Sequence, residues 1–320
     1  MDAAERELFE GAVRRATTSC TGAALDVALT ELGWMDALET DRALSVAVLF
    51  EAQGETNATS SALDLVLATA LGVPDPGAAA LVLPPLRDDA APGRLDADGC
   101  TVRGLGTAAL VHADRAVVVA SVADGTLEAC SIEAPVLRAT PVHGLDPGLG
   151  LAEVAGTVSA AVLERHGPVD WEGAVALGQL ALAHELVGTA RAALELARLH
   201  ALERVQFGRP IAAFQAVRHR LAEALVALEG ASGLAAAAWE DPTSRTAALA
   251  KGLAGRSART VARHAQQVLA GIGFTLEHPL HRYVRRTVLL DQLLGAGAVL
   301  TRRTGAEVLA AGTLPTALPL

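Results

Sequence analysis

Apolar and polar positions fall into three textures along the chain. Residues 1 to about 75 carry charges at helical intervals in an Ala/Leu-rich background, as in Glu5–Arg15 and Asp26–Asp36. That spacing predicts amphipathic helices. From Gly77 to about Gly150, Pro84, Pro85, Pro92, Gly93, Gly99, Gly104 and Gly106 cut the chain into short runs such as Leu81–Leu83 and Ala116–Val122. Ala116–Val122 is β-branched and bounded by Asp114 and Asp124, which predicts short strands with turns. From Leu151 onward the helical period returns. Within His184–Glu203, Arg191, Glu195 and Arg198 stand four and three residues apart, which predicts a single solvent face. Pro210 fits the first turn of a further helix. Gly271 and Gly273 suit the end of another, and Pro279 a restart of the chain. The expected organisation is a helical domain over 1–76, a small β domain over 77–150 and a helical bundle over 151–320.

Composition narrows the function classes. The chain has 320 residues, 51 % hydrophobic and 19 % charged. Its mean hydropathy is +0.35. A chain of that kind can bury a sizeable core and is not disordered. No run approaches the ~18 uncharged apolar residues of a membrane span; the longest candidates, Gly173–His184 and Gly230–Trp239, stop short. The net charge of −10 argues against a broad nucleic-acid or anionic-membrane surface. Lys251 is the only lysine among the basic residues. Cys20, Cys100 and Cys130 share no metal spacing and read as reduced thiols of a cytoplasmic protein. The acidic opening MDAAERELFEGAVRR is not that of a secretory signal.

Most candidate motifs lack the context that their chemistry requires. Gly104-Leu105-Gly106-Thr107-Ala108-Ala109 resembles a dinucleotide fingerprint, but a strand-like run follows it where a helix would have to open. His278-Pro279-Leu280-His281 has no cysteine or carboxylate cluster to complete a metal site. There is no Gly-x-Ser-x-Gly elbow. Two segments stand apart. Glu203–Glu223 contains Arg204, Gln206, Phe207, Gly208 and Gln215, and Gln266–Leu280 contains Gln267, Gly271, Gly273 and Phe274. Each sets an Arg or Gln beside a Gly and a Phe at a helix end. Such groups can hold a phosphate and an aromatic ring, because Arg offers a charged fork and Gly lets backbone N–H groups approach. A capped helix-to-helix turn would use the same residues.

The run ALERVQFGRPIAAFQAVRHRLAE resembles the acyl-CoA dehydrogenase pattern of Arg-x-x-Phe-Gly, a Gln, and a helix closing on an Ala-acid pair. QVLAGIGFTLEHPLHRYVRR is similar to that family's Gln-x-x-Gly-Gly-x-Gly-Phe with a following Glu-x-Pro and Arg. The helix with Trp239 between them, LTELGWM with Trp34 near the start, and more faintly DGCTVRGLGTAALVHADRAVVVASV, fit the same family. The resemblance implies a mostly α fold: an N-terminal helical domain, a shortened middle β domain and a C-terminal four-helix bundle. It also implies FAD shared between two chains, with one chain's β domain and bundle holding the ring and the neighbour's bundle holding the pyrophosphate end. The family chemistry is α,β-dehydrogenation of an acyl thioester, in which a carboxylate takes the α proton and the β hydride goes to the flavin.

Against that pattern the chain has gaps. The usual base position is Leu294, and the alternative register on the first bundle helix is Gly178. The positions that meet the CoA arm read Ala176 and Gln179. The flavin-ring segments read Leu83-Pro84-Pro85 and Ala108-Ala109-Leu110, without donors for the ring. Arg204, Gln206, Phe207, Gln215, Gln267 and Gly271 match the positions that reach the neighbour's FAD, and no catalytic or metal residue is expected. The resemblance therefore implies the base-less subunit of an α2β2 heterotetramer acting on a bulky, steroid-derived acyl-CoA. Its partners would be a second dehydrogenase subunit that carries the carboxylate and most of the substrate, and an electron-transfer acceptor, with no nucleic acid or membrane. Two other readings stay open. One is a self-sufficient dehydrogenase with Asp291, one helical turn before Leu294, as its base. The other is a non-redox scaffold of the same fold.

Overall fold

The structure is a computed structural model that describes residues 2–77 and 79–312. Residues 313–320, the end of the expected bundle, lie outside it, as do Met1 and Ala78. The N-terminal helices are α1 (Ala3–Ser19), α2 (Ala23–Glu31), α3 (Trp34–Thr40), α4 (Arg42–Thr56) and α5 (Ala62–Ala70). Asp2 closes a capping box on α1, and Asp41 caps α4. Trp34 is buried with its Nε1 donating to the Ser45 carbonyl at 3.3 Å, which ties α3 to α4.

A mixed sheet follows, built from β1 (Ala79–Leu81), β2 (Gly93–Leu95), β3 (Gly99–Gly106), β4 (Arg115–Ser121), β5 (Leu127–Glu133), β6 (Arg138–Pro141), β7 (Ala152–Ser159) and β8 (Glu164–Pro168). Its order is β6-β7-β3-β2-β4-β5-β8, with β1 added parallel to β4. This corrects the expected boundary at 150. Residues 152–159 and 164–168 are strands joined by a 3-10 turn at Ala160–Val162, because β7 pairs along the full length of β3 and β8 pairs with β5. The alanine-rich run AEVAGTVSAAV has little β signature of its own, so the ladder decides its conformation.

The bundle comprises α6 (Trp171–Glu203), α7 (Gln215–Ala237), α8 (Ser244–Leu269), α9 (Leu280–Leu290) and α10 (Gly297–Ala311). Asp170 caps α6 through the Gly173 N–H at 2.9 Å, and Thr243 closes a capping box on α8. A tiny hairpin, β9 (Val205–Gln206) and β10 (Arg209–Pro210), separates α6 from α7. Pro210 therefore sits in the hairpin, five residues before α7 begins, and not in the helix's first turn. The helix before Gly271 ends at Leu269 as a short 3-10 turn over Ala270–Phe274 begins, and Pro279 stands at the start of α9.

The long helix α6 packs against α4, α5, α7, α8 and α9 and forms the axis of the main core. It crosses α4 through glycines: a Cβ on Gly54 would strike the Glu185 carbonyl, and one on Gly188 would strike that of Glu51. The expected solvent face on α6 holds for Glu195 and Arg198, which pair at 2.7 Å. Arg191 instead reaches back to Glu51 and Glu55 on α4, at 2.7 and 2.9 Å. Among the described residues no helix is long and apolar enough to cross a membrane.

Candidate functional site

The two empty base registers converge. Leu294 is 1 % exposed and follows α9 in a turn where its own φ is +51°. A Cβ on Gly178 of α6 would meet Leu294 Cδ1 at 2.5 Å and Leu67 Cδ2 at 3.0 Å. Gln179 fixes the contact by donating from Nε2 to the Leu294 carbonyl at 2.9 Å. Two sequence positions 116 residues apart, either of which would carry a carboxylate in the resembled pattern, thus form one apolar contact.

The adjoining seam between sheet and bundle is nearly closed. Phe50, Leu83, Thr107, Leu149, Glu185 and Leu293 border a void of about 40 Å³. Small-molecule sites usually offer ~300–1,000 Å³. Leu83 pairs by backbone with Leu105, and Ala108–Val111 forms a 3-10 turn that buries Leu110. These residues do not fit a flavin ring: the space is too small and the side chains at the ring positions donate nothing.

A buried ion cluster locks that seam. Arg286 of α9 is fully buried and donates from Nε to Asp146 Oδ2 at 2.6 Å and from Nη1 to Glu185 Oε1 at 3.2 Å. It also reaches the Ala58 carbonyl at 3.1 Å. Burial pushes the Glu185 carboxyl up to about 7, with Arg286 pulling the other way. Sequence reasoning missed this cluster. Its members stand 101 and 140 residues from Arg286 and share no local spacing.

Asp291 also faces away from the seam. It is buried at the end of α9, paired with Arg259 of α8, and its Oδ2 accepts the Gln292 Nε2 at 2.9 Å. The ammonium of Lys251 donates to the Asp291 carbonyl at 3.1 Å and to that of Gly295 at 2.5 Å. Burial pushes Lys251 down to about 7. Asp291 is therefore neither a surface acid nor turned toward Leu294; it anchors the end of α9 against α8.

At the opposite end of α6 the structure is open. Arg204, Gln206 and Gly271 border a cavity of about 510 Å³ together with His200, Ile211 and Ile272. Arg204, Gln206 and Gly271 are all exposed. Three of the six candidate positions therefore meet in one place. Phe207, Gln215 and Gln267 are exposed but do not border that cavity. Phe207 sits at the hairpin tip with φ +52° and 92 % exposure, edge-on to Phe214 at 6.0 Å between ring centres. The Arg209 guanidinium lies 4.5 Å over the Phe214 ring, a contact the sequence reading did not single out. Gln215 opens α7, which has no side-chain cap, so the N–H groups of Gln215 and Ala216 are not used by the helix, while that of Val217 donates to the Phe214 carbonyl. Phe274 and Leu276, both about 70 % exposed, follow Gly271 and Ile272 in the chain. These groups suit a phosphate and an apolar neighbour.

His278 and His281 are used locally. The Leu280 N–H donates to His278 Nδ1 at 3.2 Å, and His281 Nδ1 contacts the His278 carbonyl at 2.8 Å. Gly104 and Gly106 end β3 and lead into the 3-10 turn, not into a nucleotide-binding helix.

Comparison with known proteins bears on the fold and the bundle. Residues 171–309 match the family described as acyl-CoA dehydrogenase, C-terminal domain. The acyl-CoA dehydrogenase IpdE2 of Mycobacterium tuberculosis is 33 % identical over 199 residues, which cover 62 % of this chain and 59 % of that protein. The acyl-CoA dehydrogenase FadE34 of the same organism is 38 % identical over 174 residues, covering 52 % of this chain and 24 % of that protein. The chain thus spans under two thirds of the length of these relatives. Among solved structures, the Tcur3481-Tcur3483 steroid ACAD superposes with a TM-score of 0.81 at 22 % identity, covering 97 % of this chain and 98 % of that one. The ChsE4-ChsE5 complex from Mycobacterium tuberculosis gives 0.74 at 22 % identity, covering 98 % and 99 %. The bundle is similar to the acyl-CoA dehydrogenase C-terminal domain, and the chain has the acyl-CoA dehydrogenase fold.

Proposed function

We propose that this chain is the non-catalytic subunit of a heteromeric, FAD-dependent acyl-CoA dehydrogenase. The observation that carries the reading is the contact between Leu294 and Gly178, which fills both base positions with hydrocarbon. A leucine or glycine cannot take the α proton, so the general base must stand on another chain.

The two halves of the site differ in what they could hold. The seam between sheet and bundle does not accommodate an isoalloxazine ring. The open rim fits the phosphate end: Arg204 would supply a charge-assisted contact to the pyrophosphate, Gln206 a further donor, and Gly271 a backbone that a ligand can approach. Phe207 would cover the cofactor from this side. FAD, when bound, supplies the hydride acceptor for α,β-dehydrogenation. This chain's own part is to bind and orient the cofactor's phosphate end and to complete the partner's site.

The partner follows from that division of labour: a second acyl-CoA dehydrogenase subunit with an intact ring site and a carboxylate. The solved steroid ACAD supports a bulky steroid-derived acyl-CoA as substrate, and the two-component ChsE4-ChsE5 complex supports a second kind of subunit, which fits an α2β2 assembly. An electron-transfer protein would reoxidise the flavin, and the assembly would work in the cytoplasm. The domain limits that serve this reading are 1–76, 77–168 and 169–320.

Co-expression with a full-length dehydrogenase subunit tests the proposal. The expected result is a colourless or poorly soluble chain alone and a yellow, active complex in which Glu→Gln at the partner's base abolishes turnover. A stoichiometric, active flavoprotein made from this chain by itself would overturn it.

A further inference from the structure

His200 lies in the last turn of α6, four residues before Arg204, and both border the cavity of about 510 Å³. Four residues is close to one helical turn, which brings the two side chains to the same face. Gln206 adds an amide, and Ile211, Leu269 and Ile272 are among the apolar walls. No carboxylate borders this cavity among the described residues. The His200 carbonyl accepts the Arg204 N–H at 2.9 Å. Among the described residues its imidazole has no hydrogen-bond partner, and the Arg204 guanidinium has no ion pair. Other histidines are already engaged: His184 by Glu51 and Trp239, His166 by Ser131, and His278 by the Leu280 N–H.

Two basic side chains with no acid between them suit a ligand that carries two negative charges. A pyrophosphate diester is such a group, and Arg204 matches only one of its charges. Burial holds the His200 imidazole below its ordinary value, Arg204 lowers it further, and Glu203 pulls it up. His278, ahead of α9, is held low by burial and then by His200 and His281. The end of α8 and the 3-10 turn after it bring no titratable side chain to the cavity. The carbonyl end of α6 favours positive charge in its last turn. His200 is therefore largely neutral near pH 7 in the free chain, and an anion in the cavity would favour its charged form.

We propose, on the basis of the FAD-contacting role above, that His200 is a second cofactor-binding residue beside Arg204. Its imidazolium donates to the pyrophosphate, and the proton comes from solvent as the cofactor's phosphate end docks. FAD retention by the assembled complex is then coupled to pH through this one side chain. The pyrophosphate keeps both its charges across neutral pH, so the ligand itself contributes no slope there.

FAD affinity of the co-expressed complex, read by flavin fluorescence between pH 8 and pH 6, tests the inference. The wild type should bind roughly 5- to 10-fold more tightly at pH 6, the consequence of a shift of about one unit or more in the imidazole on binding. His200→Gln keeps a donor without a charge and should hold FAD at both pH values about as the wild type does at pH 8. His200→Lys keeps a charge throughout and should flatten the profile at the tight end. Thermal melts beside each titration show that the variants are folded, and either variant alone suffices. A wild type without pH dependence, or a slope retained in either variant, overturns this inference and leaves the subunit reading standing. A complex that carries no FAD at any pH overturns the subunit reading and this inference with it.

Discussion

The seam between sheet and bundle and the rim around the Val205–Pro210 hairpin are built in opposite ways. At the seam, Leu294, Gly178 and Leu67 interlock and an ion cluster around Arg286 is sealed from water. At the rim, Arg204, Gln206 and Phe207 stand in solvent, with Phe207 held in a left-handed backbone. The seam spends its residues on its own cohesion. The rim leaves polar and aromatic groups exposed to solvent, which is what the proposed completion by a ligand and a neighbour would require. One helix, α6, joins the two, so closure at one end and openness at the other belong to a single rigid element.

The strongest test of the seam is Arg286→Met. Removing the guanidinium leaves Asp146 and Glu185 buried without their counter-charge, and chemical denaturation should show a loss of about 3–5 kcal/mol. A loss under about 1 kcal/mol would mean the seam is not sealed by this cluster.

The same cluster predicts a pH dependence. Glu185 is held at about 7 in the fold against an ordinary 4.5. A raised carboxyl binds its proton more tightly in the native state. Its contribution is complete below pH 4.5 and is lost as pH rises through about 7. Asp64, raised from 3.8 to about 7, acts in the same direction. Lys251, lowered from 10.5 to about 7, acts oppositely: its contribution is complete above pH 10.5 and is lost as pH falls through about 7. Urea midpoints measured across pH should therefore pass through a minimum near neutrality, and Glu185→Gln should flatten the acid side. A monotonic profile would contradict this.

Arg204→Ala should leave the melting transition of the assembled complex in place. FAD retention should fall by the ~1.5–3 kcal/mol of a charge-assisted contact, read as roughly 10- to 150-fold in affinity. Unchanged flavin content would reduce Arg204 to a helix-end residue and remove the rim's half of the contrast.

Two alanines probe packing directly. Gly178→Ala must displace Leu294 or Leu67, and should cost about 1–3 kcal/mol by overpacking. Gly271→Ala meets nothing within 4 Å and should be close to neutral for folding. If both cost the same, seam and rim do not differ in packing. The smallest expected effect is that of Asp291→Asn on turnover. Single-turnover bleaching of the flavin in the complex should match the wild type, because Asp291 is paired with Arg259 on the far side of α9. A fall of ~10²-fold would place the base on this chain after all.

Much of this was visible in the residues. Charge spacing in Glu5–Arg15 and His184–Glu203 gave helices where α1 and α6 stand, and the break at Gly77 marks where helices give way to the sheet. Arg204, Gln206 and Phe207 lie within four residues at one hairpin, so their nearness needs no distant partner, although Phe207 stands at the tip and does not border the cavity. What escaped was non-local. β7 is a strand because β3 lies beside it, and Arg191 turns to Glu51 and Glu55 across 140 and 136 residues. Asp64 is special only because Thr107 and the sheet exclude water from it. No periodicity within a window announces such partners.

Lys251 has a practical consequence. It is the only lysine in the chain and its side chain is fully buried, with the ammonium hydrogen-bonded to two carbonyls. To reagents that acylate lysine side chains, the folded protein is therefore silent. Amine-directed cross-linkers cannot map its contacts through a lysine, and fluorescent esters cannot label one while the fold is intact. Labelling at Lys251 becomes a direct reporter of opening between α8 and the turn after α9. Neighbours on this surface have to be captured through its carboxylates and arginines.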